Sequence, residues 1–203
     1  AASIQKVTEE IIIKLGKSIA DKTGEKNLCL AGGVALNCVA NGTLLRSKLF
    51  DNIWVQPASG DAGGALGAAL SVWHLHYDKE RKILERKDNM KGSYLGPSFS
   101  EKETIQDLNK CGANFHKLND EELISHVVKG LLAGKAIGWM QGRMEYGPRA
   151  LGNRSILADP RSETMQKQLN LKVKFREGFR PCAPSILREC VGEWFEHETD
   201  SPY

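Results

Sequence analysis

Residues 27–42 read NLCLAGGVALNCVANG, and the fold class turns on them. Asn27 to Ala31 is a short apolar run bounded by polar residues, which predicts a buried strand. Gly32 and Gly33 follow at once, and Val34 to Lys48 predicts a helix with Val34, Cys38, Leu45 and Leu49 roughly on one side. A strand that passes through two glycines into a helix brings backbone N–H groups and the positive end of a helix dipole to one point, which suits an anionic or ribose-bearing ligand. A tight strand-to-helix turn would by itself also account for the glycine pair. Asn37, one helical turn beyond Gly33, either reaches the same ligand or is solvated.

Moving outward, the pattern repeats. Ile53 to Val55 predicts the next strand, stopped by Pro57, and PASGDAGGALG (57–67) leads into a Gly/Ala-rich helix with Asp61 at the turn. An Asp at this place is most often a helix N-cap. Here Gly60, Ala62, Gly63 and Gly64 also leave room for a ligand or metal to approach the carboxylate. Two successive strand-glycine-helix units with loops at one sheet edge form the layout of a nucleotide cleft in an α/β fold. Upstream, Ile4, Val7, Ile11, Leu15 and Ile19 predict an amphipathic helix over Ala2 to Lys22, with an apolar stripe that needs a sheet or helix to cover it. Tyr77 to Asn89 is dense in charge and marks a boundary between a first domain, 1–88, and a second, 89–203.

The second half opens on a Tyr94–Pro97 turn and a capping box, Ser100-x-x-Glu103, that starts a helix to about Cys111. Phe115 to Leu118 predicts a strand, Asp120 to Ala133 a helix closed by Gly134, and Ala136 to Met140 a buried strand. Then comes the basic stretch. From Arg143 to Arg180 there are six Arg and three Lys against four acidic residues, more local charge than the net +3 of the whole chain. Arg143, Arg149 and Arg154 stand among Gly142, Gly147, Pro148, Gly152 and Asn153, which hold turns. Guanidinium groups on a stiff turn grip a phosphate or carboxylate bidentately. A solvated basic loop or a nucleic-acid patch remains the alternative. Ser162 to Lys174 predicts a helix, after which Lys174 and Arg176, two apart on an extended segment, would face one side and clamp a phosphate near Arg180. Ala183 to Leu187 predicts a strand with Ser185 able to donate a hydrogen bond.

With 28 basic and 25 acidic residues, bulk charge does not argue for nucleic acid. The longest apolar runs are too short for a membrane span, and the first ten residues lack a signal-peptide pattern. Five cysteines without a CxxC pair point to free thiols in a reducing cytoplasm. Both ends of the sequence look cut, as expected of a piece of a longer protein.

LAGGVALNCVANG (30–42), VQPASGDAGGALGAAL (55–70), GRMEYGPRALGNRSILADPR (142–161) and KVKFREGFRPCAPSIL (172–187) together resemble the NodU/CmcH-type O-carbamoyltransferase family. The resemblance implies the C-terminal half of an ASKHA (actin/hexokinase-like) domain, followed by part of a YrdC-like α/β domain. It implies formation of carbamoyl adenylate from carbamoyl phosphate and ATP, and transfer of the carbamoyl group to the hydroxyl of a small molecule that nothing in these residues specifies. Carried over, Gly32, Gly33, Val34 and Asn37 would lie along the adenylate, and Asp61 would bind a divalent metal, Mg, Fe or Zn. Arg143, Arg149, Arg154, Lys174 and Arg176, with Arg180 and Ser185, would hold carbamoyl phosphate and the nucleotide phosphates. The sequence departs from the family in lacking the His-x-x-x-His pair that completes the metal site, so the piece alone is not expected to catalyse transfer. Two other readings stand beside it: a nucleotide- or RNA-binding module, disfavoured by the few aromatics in the basic loop, and a sugar-kinase-like ASKHA protein.

Overall fold

The computed structural model describes residues 2–82, 88–196, 200–201 and 203. It is a mixed helix and strand structure in two compact units. The first unit runs to Gly96 and also takes in Glu145–Arg149 and Tyr203; the second holds Pro97–Met144 and the rest of the chain from Ala150. Part of the predicted charged boundary, residues 83–87, lies outside the described residues.

In the first unit α1 (Ala2–Thr23) is stopped by Gly24 at φ 69°, the left-handed conformation in which glycine has no steric cost. Strands β1 (Asn27–Leu30) and β2 (Asn52–Val55) pair in parallel, Leu30 opposite Val55. The predicted helix after β1 forms in two pieces: a 3-10 turn over Gly33–Leu36, then α2 (Cys38–Arg46). Asn37 causes the break. Its backbone is non-helical and its Oδ1 accepts the Ala40 N–H at 3.1 Å, an N-cap where the sequence pattern alone predicts unbroken helix. Helix α3 (Asp61–Ser71) follows β2 and ends in a π turn at Val72–His76. Gly60 caps it, and Asp61 is the first helical residue, its carboxylate against the positive end of the dipole.

The core of this unit lies where α1 meets α2. Gly16, the buried residue of α1, leaves room for the fully buried Leu44, whose Cδ1 would stand 2.9 Å from an added Cβ. Phe50 packs beside it, and Ala40 of α2 is likewise buried. The apolar stripe of α1 is not the face so used: Ile4, Val7, Ile11, Leu15 and Ile19 are 43–68 % exposed.

In the second unit α4 (Glu101–Lys110) and α5 (Asp120–Leu132) both begin with a complete capping box, at Ser100/Glu103 and Asn119/Glu122. Strand β3 (Ile137–Met140) pairs antiparallel with β4 (Arg154–Leu157), Met140 opposite Arg154. The sequence pattern places Arg154 in a turn; the structure puts it half-buried on a strand. The predicted helix from Ser162 shrinks to α6 (Met165–Gln168) and a π turn over Leu169–Val173. Residues 115–118 and 183–187 are irregular instead of strands, and Pro184 withholds a ladder N–H from the latter. A short α7 (Val191–Trp194) follows a 3-10 turn at Arg188–Cys190.

Candidate functional site

Three loops of the first unit meet at the carboxyl ends of β1 and β2, the edge where parallel sheets present ligand sites. The loop after β1 is joined to the loop after β2 by the Gly32 N–H, which donates to the Ser59 carbonyl at 2.7 Å. Gly32 has φ 97°, a conformation that a side chain would strain, so the loop can turn here because position 32 has no Cβ. The third element is the arm Glu145–Arg149. Gly147, at φ 114°, lies so close to the second loop that an added Cβ would be 3.1 Å from both the Ala58 Cα and the Pro57 carbonyl oxygen. Tyr146 donates its hydroxyl to the Ala62 carbonyl, and its own carbonyl accepts from the fully buried Ser93 hydroxyl. Arg149 donates from Nη2 to the Leu36 carbonyl at 3.0 Å.

The residues expected along a nucleotide divide in this setting. Gly32, Gly33 and Val34 are exposed at the turn. The Asn37 amide is committed elsewhere, donating to Gln5 Oε1 at 2.9 Å while its oxygen caps α2. Asp61 is exposed, and among the described residues no group of three or more His, Cys, Asp or Glu side chains is placed to hold a metal. One carboxylate does not make a metal site, so these residues do not by themselves fit the implied ion. All five cysteines are free thiols. No helix among the described residues is long and apolar enough to cross a membrane.

The other expected cations belong to the second unit. The loop between β3 and β4 is closed by Asn153, whose Nδ2 donates to the Arg143 carbonyl at 2.7 Å and whose own carbonyl accepts from the Gln141 N–H at 3.0 Å. Arg143 therefore projects from a tied turn, and Arg154 from the strand beside it. The segment after α6 is not extended, contrary to the sequence expectation. Lys174 is in the αR region and Phe175 is left-handed at φ 48°, so Lys174 and Arg176 do not alternate as on a strand. Lys174 is exposed, whereas Arg176 turns inward and donates from Nε to Asn170 Oδ1 at 2.6 Å.

Asn170 is the organiser that the sequence pattern does not reveal. It is 0 % exposed, and its Nδ2 donates to the carbonyls of Arg180 at 2.8 Å and Gly178 at 3.3 Å. One buried amide thus fixes both ends of the basic turn and one side of the Arg176 guanidinium, leaving the terminal nitrogens of Arg176 for a ligand. Arg180 is tied by its Nε to Glu177 at 2.7 Å, and Ser185 is exposed on irregular chain. Asn170→Ala strands two carbonyls, so the expected loss is about 2 kcal/mol of unfolding free energy, with faster hydrogen exchange at the Arg176 amide. Denaturant unfolding and exchange rates check this; an unchanged Arg176 amide would contradict it.

A cleft of about 580 Å³ opens where α5 ends, between Leu131–Gly134 and the Asp159–Arg161–Ser162 turn. None of the expected site residues lines it. Arg161 grips Asp159 through Nη2 at 2.6 Å, Nε at 2.9 Å and its backbone N–H at 3.0 Å. These bonds pull the Asp159 carboxyl from its ordinary 3.8 down to about 2. A depressed carboxyl stabilises the fold above its unfolded value, and that contribution disappears as pH falls through the folded value. Wild-type stability is therefore expected to drop between pH 4 and 2 more steeply than that of Asp159→Asn, read as urea midpoints across that range.

The sequence model described as Carbamoyltransferase N-terminus matches residues 1–70, and that described as Carbamoyltransferase C-terminus matches residues 128–203. An uncharacterized protein of Synechocystis is 56 % identical over 205 residues, covering 100 % of this chain and 33 % of its own length. Nodulation protein NolNO of Sinorhizobium fredii is 44 % identical, covering 97 % of the chain and 28 % of itself. Nodulation protein NolO of Bradyrhizobium diazoefficiens is also 44 % identical, over 97 % of the chain and 35 % of itself. The chain thus spans about a third of the length of the curated relatives it matches.

Proposed function

The chain belongs to the carbamoyltransferase family, as a segment that carries parts of both its N-terminal and its C-terminal domains, and from that premise we propose that its parent is an ATP-dependent O-carbamoyltransferase. In this reading the first unit is the back of an ASKHA-type nucleotide domain, and the second is the front of a YrdC-like domain. Water cleaves carbamoyl phosphate to carbamate and inorganic phosphate, and carbamate displaces pyrophosphate from ATP to give carbamoyl adenylate. The carbamoyl group then passes to the hydroxyl of a small-molecule acceptor, releasing AMP and the hydroxyl proton.

The observation that carries this reading is the half-buried Arg176, whose guanidinium Nε is held by a fully buried Asn170. Attack of a carbamate-type oxygen on the α-phosphorus of ATP increases charge on the phosphate oxygens as the bond to pyrophosphate breaks. Cations already fixed in place stabilise that charge without reorganising during the step. Arg143 on its tied turn, Arg154 on β4, and Lys174 and Arg176 on the Asn170 turn are the residues that would supply them. Transfer to an alcohol needs a polarised carbonyl, and Asp61 alone does not make a site for the divalent ion that the family resemblance implies.

The test is ATP–pyrophosphate exchange in the full-length parent, with and without carbamoyl phosphate. Exchange that appears only with carbamoyl phosphate supports the reading; exchange indifferent to it, or none, overturns it.

A further inference from the structure

The arm Glu145–Arg149 interrupts the basic stretch, yet it belongs to the first unit, where Tyr146, Gly147 and Arg149 make their contacts. We propose that Arg149, with the Ser59 hydroxyl, contacts the phosphate of a nucleotide at the strand-end loops of that unit. This rests on reading the first unit as a nucleotide domain, and it separates Arg149 from the carbamoyl-phosphate cations with which its sequence position groups it.

Three observations point the same way. Arg149 is exposed and spends one N–H on the Leu36 carbonyl, just past the Gly32–Gly33 turn; its other donors have no acceptor among the described residues. Ser59 is only 5 % exposed, and its Oγ lacks a hydrogen-bond partner. An unsatisfied buried hydroxyl carries an uncompensated desolvation cost, which favours whatever ligand supplies the missing bond. Ser59 also precedes Gly60, which caps α3 without a side chain, so the helix presents uncapped N–H groups beside that hydroxyl.

Charge explains the need for the arm. Asp61 in the first turn of α3 would repel an anion approaching these N–H groups. A fixed guanidinium offsets that repulsion and gives phosphate a bidentate partner. The contacts of Tyr146 and Gly147 hold the backbone of the arm, so the position of Arg149 does not depend on its own bond alone.

The experiment follows the backbone amides of Gly32, Gly33 and Gly60 by NMR in the 203-residue chain, titrated with ATP, with pyrophosphate and with adenosine. Arg149→Gln is expected to weaken ATP at these amides about 10–100-fold and to leave adenosine unchanged. Ser59→Ala keeps the backbone carbonyl that accepts from Gly32 and should weaken ATP about 5–10-fold. An unaltered Gly147 amide in unliganded Arg149→Gln shows that the arm stays docked; if that amide moves, Ser59→Ala decides. ATP binding unchanged in the variants overturns the inference and leaves the nucleotide reading intact. Pyrophosphate bound as tightly as ATP, in an Arg149-dependent way, overturns the nucleotide reading and the inference with it, because the anion then needs no nucleoside. No response of these amides to either anion overturns both.

Discussion

Gly63→Ala is expected to lower the unfolding free energy by more than about 3 kcal/mol, the largest stability effect of any single methyl group added here. An ideal Cβ at position 63 would stand 2.0 Å from the Ala58 carbonyl oxygen, and backbone has no rotamer with which to retreat. Ala58 is itself 0 % exposed and is approached by Gly147 as well, so the loop cannot yield toward the arm. Helix propensity acts in the opposite direction, since Ala in place of Gly favours a helix by up to about 1 kcal/mol. The clash wins at 63, but at Gly64 nothing lies within 4 Å of the added Cβ, so Gly64→Ala should stabilise by several tenths of a kcal/mol to about 1 kcal/mol. Equal midpoints for the two variants in urea would show that the loop after β2 does not lie against α3 as described.

The second large effect is on chemistry. Lys174→Ala in the full-length parent should reduce carbamoyl-phosphate-dependent ATP–pyrophosphate exchange by about 10²–10³, the usual cost of removing one fixed group that faces developing charge. Lys174 is exposed at the end of the π turn, so its loss should move the unfolding midpoint by less than about 0.5 kcal/mol. That contrast separates a chemical role from a structural one. Arg176→Lys gives a second reading, because it retains charge but not the planar fork, and should fall between the wild type and Lys174→Ala. Exchange at the wild-type rate in Lys174→Ala would remove this residue from the phosphate-binding set.

Much of the fold was legible because its signals are local. The 3.6-residue period over 4–19, the strands before Gly32 and Pro57, and the Ser100/Glu103 box all formed where the sequence places them. What was not legible depended on distant partners. Strand β4 exists because β3 pairs with it, and nothing in Arg154–Leu157 states that register. Asn170 looks like any polar residue on a helix, yet it is buried because the chain at 178–180 returns to it. A polar residue between apolar Leu169 and Leu171 was the one available hint. The basic residues were visible at once, but their division was not. Spacing alone groups Arg143, Arg149 and Arg154, while Gly147 and Tyr146 carry the middle one into the other unit.

That passage of five residues through the first unit bears on how the protein is made. A ribosome that has released residues 1–96 has not yet delivered the tyrosine that bonds the Ala62 carbonyl or the glycine that lies against Ala58, so the early portion must wait, incomplete, until about fifty more residues have emerged. A chain severed anywhere in that interval loses the last clasp of its own beginning, and nascent-chain proteolysis should find the Pro57–Asp61 loop cleavable until the arm arrives.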